Sequence, residues 1–265
     1  MKKLAVVNQK GGVAKTTLCI QTGFAARDVS LRVLLIDLDP QGSLSTVFVS
    51  TGADQGNASA ASDLFKKDSV IRPEVLEPGF AIIRKDDLLE KLGTEEYPVS
   101  REDMKIPAQH LRALASEYDI CIIDTPGALG DNVPTTTAAL IAADAVVCPF
   151  AVGLLEAGPL SRLWKHLNEI IVNGTNPRLR VLGLIPSKVN VKSGEELGAL
   201  ETLRGHPVVG KFILPGMLGE RAAVKQAIAR RKPVWRGIRG AGHKSAAVEW
   251  KTATTTILKN LGVLK

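Results

Sequence analysis

A doubly wound α/β fold, with a mostly parallel sheet and helices on both faces, is predicted by three features of the sequence. Short, continuously apolar runs recur along the chain, each as long as a strand covered on both faces. Segments with helical patterning separate them and supply the crossovers that parallel strands require. Apolar residues make up 45% of the 265, enough for a sizeable core and too many for a disordered chain. The length suits a single domain over residues 1–265.

The elements follow in order. Leu4-Ala5-Val6-Val7 reads as a first strand, followed by a glycine-rich turn and a helix over residues 15–28. Val33-Leu34-Leu35-Ile36-Asp37 is the second strand, Ile120-Cys121-Ile122-Ile123-Asp124 the third and Ala145-Val146-Val147-Cys148 the fourth. Val181-Leu182-Gly183-Leu184-Ile185 and Val208-Val209-Gly210-Lys211-Phe212-Ile213 are later candidates. Residues 50–110 read as a less regular peripheral region: 51–57 have the composition of a flexible loop, and 95–105 are charged and broken by Pro98. A last helix over residues 244–261 is expected to pack against the same domain. Its run of threonines, Thr252, Thr254, Thr255 and Thr256, argues against an amphipathic membrane anchor.

Several classes are excluded by composition. No run approaches the roughly 18 apolar residues of a membrane span. The opening Met1-Lys2-Lys3 resembles the start of a signal peptide, yet the apolar stretch behind it stops at Asn8. Cys19, Cys121 and Cys148 are widely spaced within apolar runs, which suits buried free thiols and not a metal or iron–sulfur site. A cytoplasmic protein is expected. Charge is divided unevenly: residues 203–265 hold 13 Lys+Arg against 2 Asp+Glu, whereas residues 1–202 hold 21 against 25. That basic C-terminal part of the domain points to a polyanion partner.

The segment that carries chemistry is Asn8-Gln9-Lys10-Gly11-Gly12-Val13-Ala14-Lys15-Thr16-Thr17, after a buried strand and at a helix N-terminus. Unpaired N–H groups and the helix dipole there attract anionic oxygens. Gly11 and Gly12 let the backbone curl around a phosphate, Lys15 is placed for the β- and γ-phosphates, and Thr16 offers a hydroxyl to magnesium. The plain Walker spacing fails, because Gln9 and Ala14 occupy its two glycine positions. Ala14 is expected to be tolerated provided its φ is negative.

The string from Lys10 to Thr17 resembles the deviant Walker loop of the ParA/MinD superfamily, with its additional early lysine. Asp37-Leu38-Asp39-Pro40-Gln41-Gly42 and Asp124-Thr125-Pro126-Gly127 resemble the family's next two motifs, each after a strand and in the family's order. Similarity continues through residues 138–149 and 220–234 and is vaguest over 50–110. The resemblance implies an ATPase with ATP and Mg2+ held by residues 10–17. Lys10 would cross to the nucleotide of a partner subunit in an ATP-bound homodimer. Asp37 and Asp124, with Thr16, would serve the metal, and Asp39 would help place the attacking water. Gly127 stands where the family usually has a second proline, which implies a looser switch.

For the basic segment the resemblance implies nonspecific double-stranded DNA over the nucleoid, with hydrolysis stimulated by a ParB-like centromere-binding partner. The candidates are Arg221, Lys225, Arg230, Arg231, Lys232, Arg236, Arg239 and Lys244. A helix over residues 220–232 would set Arg221, Lys225 and Lys232 within about 40° of one another. Arg221 could also be structural or lie near the nucleotide. Aromatic residues, at 4%, are too few to favour stacking on single strands. The phosphate loop begins so early that no preceding sequence-reading domain is expected. Plasmid or chromosome partition is the leading reading. The alternatives are positioning of another cargo (a division site, a carboxysome, a secretion complex) and a nucleotide-gated DNA-binding adaptor with negligible turnover.

Overall fold

In the computed structural model, residues 1–49, 56–128, 133–152, 157–172 and 175–264 are described. Eight strands form one sheet: β1 (Lys2–Val6), β2 (Val33–Asp37), β3 (Glu74–Glu77), β4 (Phe80–Ile83), β5 (Ile120–Asp124), β6 (Ala145–Ala151), β7 (Arg180–Val189) and β8 (Leu218–Gly219). Their order is β3-β4-β2-β5-β1-β6-β7-β8, and every pairing is parallel except that of β3 with β4. The doubly wound fold expected from the apolar runs is present.

Side chains alternate along the central strands, so each strand feeds two cores. Leu4, Val6, Leu35, Ile120, Ile122 and Val147 face one layer, while Ala5, Leu34, Ile36, Cys121, Ile123 and Val146 face the other. The first layer contains α1 (Lys15–Asp28), the short α2 (Ser43–Val47) and the last helix, α9 (Gly240–Leu261). The helix α1 is buried nearly all round because it lies between the sheet and α9. Helix α9 begins earlier than expected, and buries Trp250, Ala253, Ile257 and Leu261 at helical spacing. The opposite layer includes α3 (Asp87–Lys91), α4 (Ile106–Ala113), α5 (Pro134–Ala142), α6 (Ala157–Val172) and α7 (Gly194–Gly205). All three cysteines are buried and free, and burial pushes the Cys148 thiol up to about 12. Among the described residues no helix is long and apolar enough to cross a membrane.

Two expectations are corrected. Residues 50–110 are not merely peripheral, since β4 lies inside the sheet against β2 and buries Phe80, Ile82 and Ile83. Phe80 stacks with Phe24 of α1 and meets Phe48 edge-on. Gly23 lets α1 come close, because a Cβ there would stand 3.3 Å from Leu35 and 3.4 Å from Phe80. Most of the loop expected at 51–57 lies outside the described residues. The second correction is residues 208–213, expected as a strand: Val209–Phe212 is a 3-10 turn. Pro207 and Gly210 fold it back onto the end of α7, where the Gly210 amide donates to the His206 carbonyl at 2.9 Å. Its link to β7 is a single bridge, Ile213 opposite Leu184 with the Leu214 amide donating to the Leu184 carbonyl, while the Phe212 carbonyl lies against Gly183.

If β4 is integral to the core, Phe80→Ala costs about 3–5 kcal/mol, the usual loss for a buried phenylalanine. Urea denaturation checks this; a loss under about 1 kcal/mol would make residues 50–110 an appendage.

Candidate functional site

Three neighbouring strands, β2, β5 and β1, end side by side, with Asp37, Asp124 and Val6 in register. Each ending carries one of the three motifs, so the topology gathers segments more than 100 residues apart in the chain. Carboxyl ends of parallel strands are where a doubly wound sheet opens its crevice.

The loop after β1 is pinned from several sides. Asn8 Nδ2 donates to the Pro149 carbonyl at 2.6 Å, and its Oδ1 accepts from the Lys10 amide at 2.9 Å. Ser187 Oγ lies 2.8 Å from the Val13 carbonyl and 3.1 Å from that of Phe150. Thr125 Oγ1 donates to the Val6 carbonyl at 2.8 Å, tying the third motif to the first. Gly11 and Gly12 are exposed, Thr16 and Thr17 stand half-buried in the first turn of α1, and Val13 is buried. Gly12 is left-handed at φ 76°. Ala14 is left-handed as well, with φ 68° and ψ 27°, so the condition set for tolerating it, a negative φ, is not met. An alanine there holds a conformation that glycine adopts freely, at a cost of roughly 1–2 kcal/mol. Gly127 is corrected too. A Cβ there would lie 2.8 Å from the Gly11 nitrogen, so glycine permits tight contact with the loop, and a proline would displace it.

Lys15 is buried, and its ammonium donates to the Lys10 carbonyl at 3.0 Å, folded across the loop. Burial lowers its pKa, against the pull of Asp124 and Asp39. Asp124 is fully buried, with the Thr16 hydroxyl and the Cys19 thiol beside it, yet neither carboxylate oxygen accepts a hydrogen bond of ordinary geometry. Desolvation, with Asp37 and Asp39 close by, raises its pKa to about 7.

Asp37 is equally buried but fully engaged. One oxygen accepts from both the amide and the hydroxyl of Ser45 at 2.7 Å, and the other accepts from the Asp39 amide at 3.2 Å. Ser45 belongs to α2, so Asp37 ties the second motif to that helix. Asp39 is half-buried, and its Oδ1 accepts from the Gln41 amide at 3.0 Å. Two residues that the sequence reading missed complete this corner. Arg84 donates to the Ser45 and Phe48 carbonyls and pairs with Glu74; the Lys85 amide donates to Ser45 Oγ at 3.0 Å. Neither follows a recognisable motif. The half-buried Lys10 ammonium makes no hydrogen bond or ion pair among the described residues.

The basic candidates divide. Arg221 is no free surface cation: it stands at the N-cap position of α8 (Ala222–Ala229), and its side chain forms a two-pronged pair with Glu249 of α9, which also accepts from the Gly219 amide. Because α8 stops at Ala229, Lys232 does not share a helix face with Lys225, and the expected alignment over 220–232 is absent. Lys225 is exposed, 3.8 Å from Glu220. Arg230, Arg231, Lys232 and Arg239, with Arg27 and His243, line a groove of about 700 Å³. Arg236 lines it as well but pairs with Asp28; Lys244 is exposed on α9 outside the groove lining.

A family model described as an AAA domain matches residues 1–181. Protein IncC of Escherichia coli is 31% identical over 257 residues, covering 93% of this chain, and the chain spans 66% of that relative's length. The chromosome partitioning protein ParA of Caulobacter vibrioides is 30% identical over 240 residues, covering 88% of this chain and 86% of ParA. Among solved structures, an ATP complex of a McdA variant from Cyanothece superposes with a TM-score of 0.80 at 22% identity, covering 100% of this chain and 97% of McdA, a likeness of fold.

Two outcomes follow from the loop and its acid. Ala14→Gly relieves the left-handed alanine and raises stability by about 1 kcal/mol; a loss on chemical denaturation would contradict the φ of 68°. Asp124 sets a pH trend in nucleotide-free protein. Its folded pKa of about 7 exceeds the unfolded value, about 3.9, so the folded state holds the extra proton between them. Stability therefore falls as pH rises through that window and levels off above it, by roughly 4 kcal/mol at most. The advantage of Asp124→Asn in melting temperature should accordingly grow from pH 5 to pH 8; a constant difference would mean the carboxylate is not desolvated.

Proposed function

We propose that this chain, which belongs to the ParA family of P-loop ATPases, binds ATP with Mg2+ at residues 10–17, hydrolyses it and thereby controls association with DNA. The observation that carries the reading is the convergence of a curled anion loop, a desolvated lysine and an unpartnered buried carboxylate on three adjacent strand ends.

The exposed backbone of Gly11 and Gly12 and the N-terminus of α1 would cradle the phosphates. Lys15, already stripped of water, would exchange the Lys10 carbonyl for phosphate oxygen at little further desolvation cost. The donor set fits a magnesium ion: Asp124 has two buried oxygens without partners, and the Thr16 hydroxyl stands beside it. Those two residues would hold the ion and its waters, and it would neutralise charge on the β- and γ-phosphates. Asp37 would act through Ser45, holding α2 against the site as a positioning residue. Asp39 would orient the attacking water. Lys10, with no partner among the described residues of its own chain, would reach the nucleotide of a second copy and favour an ATP-bound homodimer.

The basic groove is the reading's second support. Arg230, Arg231, Lys232 and Arg239 are exposed around it, and duplex phosphates offer the matching charge without sequence reading. The groove is built on α1: Asp28, at the end of that helix, accepts from Trp235 Nε1 at 2.6 Å, and Gln21 Oε1 accepts from the Val234 amide at 3.0 Å. One helix thus joins the phosphate loop to the basic segment. On this reading the protein sits on the nucleoid in its ATP form. A ParB-like partner stimulates hydrolysis and releases it, so that a plasmid or chromosome is partitioned.

Binding to a labelled duplex, measured with MgATP across a salt series, tests this. Replacing Arg230, Arg231 and Lys232 together with alanine should weaken binding and lower the slope of log affinity against log salt by roughly 2 to 3. Affinity that ignores salt, nucleotide and these three residues would leave an ATPase that positions some cargo other than DNA.

A further inference from the structure

A third ammonium stands at the phosphate loop and comes from a distant strand. A methyl group placed on Gly12 would lie 3.9 Å from Lys188 Nζ, and apart from its chain neighbours no other atom of the described residues would come within 4 Å of it. Lys188 belongs to the end of β7, next to Ser187, whose hydroxyl lies against the Val13 carbonyl of the same loop. Two features of the backbone aim it there. The pairing of β7 with β8 steps from Ser187 opposite Leu218 to Val189 opposite Gly219, so Lys188 is the extra residue of a bulge and leaves the ladder. Its φ is 53°, a left-handed conformation that costs a lysine about 1–2 kcal/mol. The side chain is exposed and makes no hydrogen bond or ion pair among the described residues. A strained, bulged lysine with an uncompensated charge beside an anion loop is a ligand group waiting for its anion.

We propose that Lys188 contacts the phosphate chain of the bound nucleotide, a third cation at the loop beside Lys10 and Lys15, delivered over Gly12 by the bulge in β7. The inference rests on the nucleotide reading above and adds a residue to it. Lys15 approaches from within the fold, where burial holds it. Lys188 approaches from the solvent side, so it would close over phosphates already seated and slow their departure.

The test uses full-length protein, calorimetric titration with MgATP, and competition by inorganic tripolyphosphate. Asparagine tolerates the left-handed backbone, so Lys188→Asn removes the charge and leaves the bulge; thermal melts check that it folds like wild type. MgATP affinity should fall roughly tenfold, the lower end of what a hydrogen bond to a charged group contributes. Tripolyphosphate should lose by the same factor, and Lys188→Arg should stay within about twofold of wild type. Unchanged affinity in the asparagine variant overturns the proposal, as does a loss for ATP without one for tripolyphosphate, which would assign the ammonium to the base or sugar. Lys15→Ala keeps the two readings apart. If wild type binds MgATP and Lys15→Ala does not, any failure belongs to Lys188 alone. If wild type binds no more tightly than Lys15→Ala, the nucleotide reading falls, and this inference with it.

Discussion

A carboxylate sealed in the protein without a hydrogen-bonding partner is the constraint around which the site is arranged. Asp124 ends a central strand, and the sheet places another buried acid, Asp37, directly opposite in register. Two desolvated carboxylates on neighbouring strands repel each other, and the protein handles them differently. Asp37 is satisfied internally through Ser45, which Arg84 and Lys85 hold in turn. Asp124 is left open: the Thr16 hydroxyl beside it answers its charge first and Lys15 after it, and burial makes that ammonium itself reluctant to be charged. Neither member is comfortable alone. A buried polar group without a partner costs on the order of 1–3 kcal/mol, which a fold retains where a ligand repays it.

The loop above that acid carries its constraint in the backbone. Gly12, Ala14 and, from across the sheet, Lys188 all adopt left-handed conformations around the curl of the loop. Only one of them is a glycine. Gly127 meets the loop backbone so closely that a side chain would collide with it. The curl of the loop is therefore imposed by its surroundings: Asn8 below, Ser187 to one side and Gly127 against its outer turn. Such packing explains how alanine survives at position 14. Neighbours that over-determine a backbone can hold a residue whose own preference lies elsewhere.

What could be read from the sequence followed the strength of local signals. The runs at 33–37 and 120–124 were legible to the residue because each is continuously apolar and ends in an acid. The strand at 80–83 was not, since it is four residues long, follows a Pro-Gly turn and pairs with a polar edge strand. The opposite error occurred at 208–213, where an apolar run is folded back by Pro207 and Gly210. At the site, the loop and its acids were legible because motif and strand end coincide. Arg221 stayed open between a DNA contact and a structural role, for its partner Glu249 lies 28 residues on and only the packing of α9 brings it near. Lys188 carried no signal, since a lysine flanked by Ser187 and Val189 looks like any outward residue of a strand. Its meaning depends on a bulge, and bulges arise from pairing, which a single sequence does not display.

The helix that begins at the loop accounts for the uneven charge of the chain. α1 spans about 21 Å, and its dipole favours anions at its start and cations at its end. At the start stand the loop amides and Lys15. At the end stand Arg27 in the last turn and Asp28, which draws in Arg236. A carboxylate opposes the dipole there and becomes favourable only with a cation beside it, so Asp28 fastens the basic segment to this helix. Gln21 fastens it again, about two turns nearer the loop. The arginines at 230, 231 and 239 are left free to face outward around the groove that results. On the reading proposed above, phosphates and duplex would thus be held at opposite ends of one helix packed between sheet and α9.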